Sequence, residues 1–150
     1  MAEALTLREA SADDLPEVLA LYAQPGLDDG DVLSVEQARE VFAQFARYPS
    51  YRLFVACDGA GRVLGSYALL VMHNLAHRGT PSAIAEDVVV DQACRGQGIG
   101  RQMMEHARAM AREAGAYKLA LSSNQKRTRA HAFYDALGFQ RHGISFVTTP

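Results

Sequence analysis

The chain has 150 residues, enough for one domain with a substantial core, and 15 basic against 17 acidic residues give it a formal net charge of −2. That balance leaves no electrostatic footprint for nucleic acid, and no apolar run approaches the roughly 20 residues of a membrane span. Met1-Ala2-Glu3-Ala4-Leu5 lacks the basic and apolar stretches of a signal peptide. The expectation is therefore a single domain over 1–150 in a cytoplasmic protein, with Cys57 and Cys94 as thiols. There is no internal repeat, low-complexity tract or inter-domain linker.

Leu5 to Ala10 alternates and predicts a first strand. Ser11-Ala12-Asp13-Asp14 is a capping signal for a helix carrying Leu15, Val18, Leu19 and Tyr22, which Pro25-Gly26 ends. The loop from Leu27 to Leu33 holds three aspartates. Ser34-Val35-Glu36-Gln37 is a second capping box, followed at helical spacing by Ala38, Val41, Phe42 and Phe45 up to Pro49. Tyr51 to Cys57 and Val63 to Val71, joined by Asp58-Gly59-Ala60-Gly61-Arg62, read as an antiparallel hairpin. Met72 to Ser82 reads as a long loop.

The β-branched run Ile84 to Val90 predicts the next strand, and a helix follows from near Gly98 to Ala114 with Met103, Ala107, Met110 and Ala114 on one face. Gly115 falls where a left-handed cap belongs. Tyr117 to Ser122 is predicted as a strand, Arg129 to Leu137 as a helix, and Phe139 to Thr148 as a final strand or pair of strands. This order predicts an α/β fold: a mixed central sheet with helices on both faces.

The stretch joining the Ile84–Val90 strand to its helix holds the most chemistry. Unpaired amides at a helix N-terminus carry the positive end of the helix dipole and hold phosphate oxygens. Glycines at 96, 98 and 100 let the backbone approach a diphosphate, and Arg95 and Arg101 add charge. The dinucleotide fingerprint fails, because Arg101 stands where its third glycine belongs and no acid lies in Leu119–Asn124. A P-loop fails too, because Arg101 is followed by Gln102 rather than Ser or Thr.

What stands is Arg95-Gly96-Gln97-Gly98-Ile99-Gly100, an R-x-x-G-x-G that, with its strand, resembles the acetyl-CoA-binding motif of the GCN5-related N-acetyltransferases. Ala130-His131-Ala132-Phe133-Tyr134-Asp135-Ala136-Leu137-Gly138-Phe139 is similar to that family's second motif, A-x-x-x-Y-x-x-x-G-F. The resemblance covers essentially the whole chain and implies the acyl-CoA N-acyltransferase fold, in which the central sheet is mostly antiparallel. It implies acetyl-CoA as co-substrate and a small-molecule amine as acceptor, and it leaves a homodimer open. Weaker likeness to the aminoalkylphosphonate branch, in Ser122–Arg127 and His142–Phe146, and to the glucosamine 6-phosphate branch, in Ile84–Val90, implies an anionic amine. A protein N-terminus or lysine as acceptor, and a non-catalytic acyl-CoA-binding module, stand as alternatives.

The resemblance also places roles. Main-chain groups of Val88, Val89 and Val90 bind the pantetheine arm and polarise the thioester carbonyl, although the valine side chains need be nothing but core. Residues 95 to 101, including Gln97, Ile99 and Arg101, take the diphosphate. Glu86, nine residues before Arg95, is the expected general base. It shares strand parity with Val88 and Val90, while Asp87 is expected on the opposite face. Pairing of Glu86 with a nearby arginine is the competing structural reading.

Tyr134 is the expected acid for the CoA thiolate. It also falls in an i, i+3, i+4, i+7 stripe with Ala130, Phe133 and Leu137, so a purely structural role competes. Where many relatives have asparagine, seven residues before the tyrosine, this chain has Arg127. Asn124 is then the candidate pantetheine contact, Arg127 with Lys126 and Arg129 faces either the 3′-phosphate, an anionic acceptor or only solvent, and Phe133 is counted with the cofactor set. His73 and His77 are four apart, but on a loop without a third ligand, so no metal is expected. His106 and His131 are expected at the surface.

Overall fold

A computed structural model describes residues 4–150. These residues form two compact units that divide after Ala120.

The first unit is built on a five-stranded sheet of order β1-β2-β3-β4-β5, with β1 Thr6–Glu9, β2 Tyr51–Cys57, β3 Val63–Met72, β4 Ser82–Val90 and β5 Leu119–Ala120. The first four strands are antiparallel neighbours, and β5 runs parallel to β4. Helices α1, Leu15–Tyr22, and α2, Val35–Phe45, cover one face. There Leu15, Val18 and Leu19 pack with Leu53, Val55 and Ala68, which alternate along β2 and β3. Helix α3, Ile99–Glu113, covers the other face. There Phe54 and Tyr67 are fully enclosed together with Met103 and Met104.

Local chemistry sets the boundaries. The Asp14 carboxylate accepts from the Ser11 amide at 2.7 Å and from Arg8 at 2.7 and 2.8 Å, tying β1 to the turn that opens α1. Ser34 and Gln37 exchange hydrogen bonds at 3.0 and 3.2 Å, the capping box of α2. Glu17 accepts from the Val63 amide at 2.8 Å and so ties α1 to the start of β3. At the end of α3, Ala116 N–H bonds Ala111 and Gly115 N–H bonds Arg112, with Gly115 at φ 77°. This is the Schellman pattern.

Four expectations are corrected. The buried stripe of α3 is Ile99, Met103, Met104, Ala107 and Ala111, while Met110 is half-buried and Ala114 exposed. His106 is half-buried rather than freely exposed: its Nδ1 is 2.6 Å from the Tyr67 hydroxyl, and its ring lies 4.9 Å from that of Phe54. The strand predicted over Tyr117–Ser122 is only Leu119–Ala120. The polar residues that follow favour local turns instead, and Asn124 Oδ1 accepts from the Lys126 amide. No strand forms over 139–148, where Ile144, Phe146 and Val147 are exposed. β-propensity there has no neighbouring ladder to act through.

The second unit, from residue 121, holds α4, Thr128–Ala136. No helix among the described residues is long and apolar enough to cross a membrane.

Candidate active site

The β4–α3 connection has the geometry of an anion site. After β4 the chain makes a short 3-10 turn at Gln92–Cys94, capped by Asp91 Oδ1 on the Ala93 amide at 2.9 Å. Gly96 and Gly98 follow, both at φ 80°, where a side chain costs about 1–2 kcal/mol. No atom lies within 4 Å of where their Cβ atoms would stand, so the backbone is open to a ligand. Gly98 is the N-cap of α3 and supplies no capping side chain. The first bond into the helix runs from Gln102 N–H to Gly98 at 3.0 Å. The amides of Ile99, Gly100 and Arg101 therefore precede the ladder and carry the positive end of the helix dipole. Arg95, Gln97 and Arg101 are exposed beside them, whereas the Ile99 side chain is core and only its amide is available. These residues fit the diphosphate of a CoA ester.

Beside that turn, β4 outruns its neighbour. It pairs with β5 only at Ala83–Leu119 and Ile84–Ala120, so Ala85 to Val90 have no β5 partner. Val88, Val89 and Val90 are half-buried, and Val89 packs against the α1 core. The Val90 carbonyl accepts from Gln24 Nε2 at 3.2 Å, while the Gln92 amide donates to Gln24 Oε1 at 2.7 Å. Gln24 thus clamps the end of β4 to the chain leaving α1. No sequence signal marked it, because both partners are backbone groups far along the chain.

The strand parity expected around Glu86 is corrected by a bulge. Ala68 pairs with Glu86 and Ser66 with Val89, so Tyr67 faces two residues, and Asp87 sits at φ 52°. Directly opposed residues share a face. Glu86 is therefore on the α1/α2 face with Ala68 and shares that face with Val89 rather than with Val88. Asp87 lines a cavity on this same face instead of pointing away from it.

That cavity, about 530 Å³, lies between α1, α2 and the sheet. Val18, Leu19, Tyr22, Phe42, Phe45 and Leu53 form much of its wall, and Asp28, Asp31 and Asp87 supply its charge. Burial, then the nearby Asp28 carboxylate, raises the Asp87 pKa above the ordinary aspartate range. Burial chiefly, with Asp87 second, pushes the Tyr22 phenol far up. Tyr51 stacks on Phe45 at 4.3 Å between centroids, and its phenol is raised by burial, then by Asp87 and Glu86. The aspartates of the Leu27–Leu33 loop were visible in the sequence as a charged loop, but nothing there aimed them at a cavity.

In the second unit, Tyr134 serves a structural purpose. Phe139 N–H bonds the Tyr134 carbonyl at 3.0 Å, Gly138 N–H bonds Asp135 at 3.1 Å, and Gly138 has φ 86°. This is a Schellman cap, and its usual apolar contact is the Tyr134–Phe139 ring pair at 5.6 Å. The Y-x-x-x-G-F spacing is thus also a helix-ending device. Phe133 packs on Tyr134 at 5.1 Å, and burial raises the tyrosine pKa. Asn124 is spent locally: its side-chain oxygen takes the Lys126 amide, and its carbonyl lies 2.8 Å from His131 Nε2. Arg127 is the exposed N-cap of α4. The enclosed Ser123 hydroxyl has no hydrogen-bond partner among the described residues.

His73 is exposed and His77 packs its ring on Tyr117 at 4.7 Å. Among the described residues no three His, Cys, Asp or Glu side chains cluster as metal ligands.

Residues 15–139 match the acetyltransferase (GNAT) family. The chain belongs to that family. Its activity class, N-acetyl transfer with acetyl-CoA, comes with that membership. It is 33% identical to the aminoalkylphosphonate N-acetyltransferase of Salmonella typhimurium over 94% of this chain and 88% of that protein. It is 35% identical to the glucosamine 6-phosphate N-acetyltransferase of Trypanosoma brucei brucei, a match spanning 55% of this chain and about half of that relative (54%). A solved structure of a putative acetyltransferase from Agrobacterium tumefaciens superposes with TM-score 0.87 at 33% identity, covering 97% of this chain and 99% of that one.

Proposed function

We propose that this N-acetyltransferase acetylates the primary amine of a small molecule by direct attack on acetyl-CoA in a ternary complex. The observation that carries the reading lies within the first unit. An open, positive-φ glycine turn leads into an uncapped helix, directly after a strand that has no β5 partner from Ala85 to Val90. A cavity lined by Asp87 of that same strand stands ready for the second substrate.

The thioester arm lies along the free edge of β4, and its diphosphate sits on the Ile99, Gly100 and Arg101 amides. The neutral amine attacks the thioester carbonyl carbon, so that a C–N bond forms and the C–S bond breaks. The main-chain N–H of Val88 stabilises the developing oxyanion, since Val89 is paired with Ser66 of β3 and its amide turns toward that strand. Proton removal falls to the adjacent carboxylates of β4, directly or through water. Glu86 is the family-based choice, and the placement of Asp87 on the cavity wall, with its raised pKa, supports Asp87 alongside it. Resemblance supports Tyr134 as the donor of a proton to the departing thiolate.

Because the chain is similar to proteins named for aminoalkylphosphonate and glucosamine 6-phosphate, anionic amines belong among the acceptors to be tested. The test is thiol release from acetyl-CoA with a panel of aminoalkylphosphonates, aminosugar phosphates, polyamines, alkylamines and peptides, followed by two-substrate initial rates. Intersecting reciprocal plots are expected. Parallel plots, the mark of a covalent acetyl-enzyme, would refute direct attack.

A further inference from the structure

The chemistry of the cavity points to a narrower acceptor class than kinship does. Its wall is built from aliphatic and aromatic side chains of α1, α2 and β2, chiefly Val18, Leu19, Phe42, Phe45 and Leu53. The carboxylates among its lining residues are Asp28, Asp31 and Asp87, and among the described residues no arginine, lysine or histidine lines it. Asp28 and Asp31 are exposed on the loop between α1 and α2, and Asp87 is brought onto the same face by the β4 bulge. A phosphate or phosphonate placed here would meet like charge and lose its hydration without a cationic partner. An ammonium with a hydrocarbon body meets the opposite: carboxylates for the charged head and apolar surface for the rest.

We infer that the acceptor is a primary amine with an apolar body, bound in this cavity with its ammonium toward Asp28, Asp31 and Asp87, and not an anionic amine. The inference rests on the acetyltransfer reading above and deepens it by naming the substrate class. At 530 Å³ the cavity holds a body of several carbons beyond the amine. An anionic acceptor calls for cationic partners, which these lining residues do not provide.

The experiment is a homologous series. Ethylamine, butylamine and hexylamine share nearly the same amine pKa, so differences in kcat/KM read the pocket and not basicity. With acetyl-CoA and thiol detection, kcat/KM should rise by up to about fourfold per methylene, the factor equivalent to about 0.8 kcal/mol of buried CH2. 2-Aminoethylphosphonate and glucosamine 6-phosphate should be at least tenfold poorer than hexylamine. Asp31→Asn, on the exposed loop, should raise the hexylamine KM several-fold with little change in the KM for acetyl-CoA. A flat alkylamine series with anionic amines preferred would overturn the acceptor class and leave acetyl transfer standing. No thiol release with any amine would overturn both.

Discussion

Gly65 offers the sharpest test of how the sheet holds helix α3. It lies on β3 opposite Val90, and a methyl group built on it would stand 2.6 Å from Met103 Sδ, 3.1 Å from the Val89 carbonyl oxygen and 3.3 Å from Ile99 Cγ2. Met103 has no exposed surface and Ile99 is 4% exposed, so neither has room to give. Overpacking of this kind costs about 1–3 kcal/mol. The loss of unfolded-state freedom on replacing glycine returns about 0.4–1 kcal/mol. The net expectation for Gly65→Ala is a destabilisation of about 1–2 kcal/mol, seen as a fall in Tm of roughly 2–8 °C for a chain of this size. The clash lies between β4 and the first residue of α3, so the KM for acetyl-CoA should rise as well. Circular dichroism melts and thiol-release kinetics read the two effects. Removing the sulfur in a Gly65→Ala/Met103→Ala double variant should cost less than the sum of the single changes. Wild-type Tm and KM in Gly65→Ala, or strict additivity with Met103→Ala, would refute the close approach.

Three further outcomes follow from the site and its supports. Asp87→Asn should flatten the acid limb of the pH–rate profile. Because burial raises its pKa, an ionised Asp87 weakens the fold as pH climbs from below the unfolded value through the folded one, so this variant should be no less stable than wild type at neutral pH; an intact acid limb in Asp87→Asn and its loss in Glu86→Gln would assign the base to Glu86. Tyr134→Phe keeps the ring that packs on Phe139, so Tm should hold while turnover falls by roughly 10²-fold if the hydroxyl protonates the thiolate; wild-type turnover would leave the tyrosine only its capping role. Asp14, whose pKa is lowered chiefly by the Arg8 hydrogen bonds, stabilises the fold above its unfolded pKa and loses that effect as pH falls through the folded value. Asp14→Asn should cost about 1–2 kcal/mol at pH 7, allowing for the part-exposed arginine, and the difference from wild type should vanish in acid.

Much of the fold was legible because its signals are local. The capping boxes at Ser11–Asp14 and Ser34–Gln37, the hairpin around Gly59 and Gly61, and the terminating Gly115 each act within a few residues, and each appears where the sequence puts it. The errors arose where a neighbour decides. Ile144 to Val147 has strand composition but no ladder partner, and His106 looks like a helix-surface residue until Tyr67 meets it from β3. The parity around Glu86 went wrong for a sharper reason. One extra residue in β4 shifts every side chain after it to the other face, and no glycine announces the bulge, because Asp87 itself takes the positive φ.

The candidate site divides in the same way. The glycine turn was readable because positive φ and an open backbone demand glycine at 96 and 98. The cavity between α1, α2 and the sheet was not, because its wall joins residues from 15 to 87 whose apolar side chains read as ordinary core. Gln24 and Asp28 gain their importance only from the approach of β4.

Calorimetric titration of acetyl-CoA into wild type and into Gly98→Val tests the central claim most directly, that the β4–α3 turn holds the cofactor. Gly98 is solvent-exposed at φ 80°, so valine there leaves the core untouched but strains the turn and covers the amides of α3. The account predicts saturable binding to wild type and at least a tenfold weaker affinity in the folded variant. Equal affinity in a folded Gly98→Val protein would contradict it.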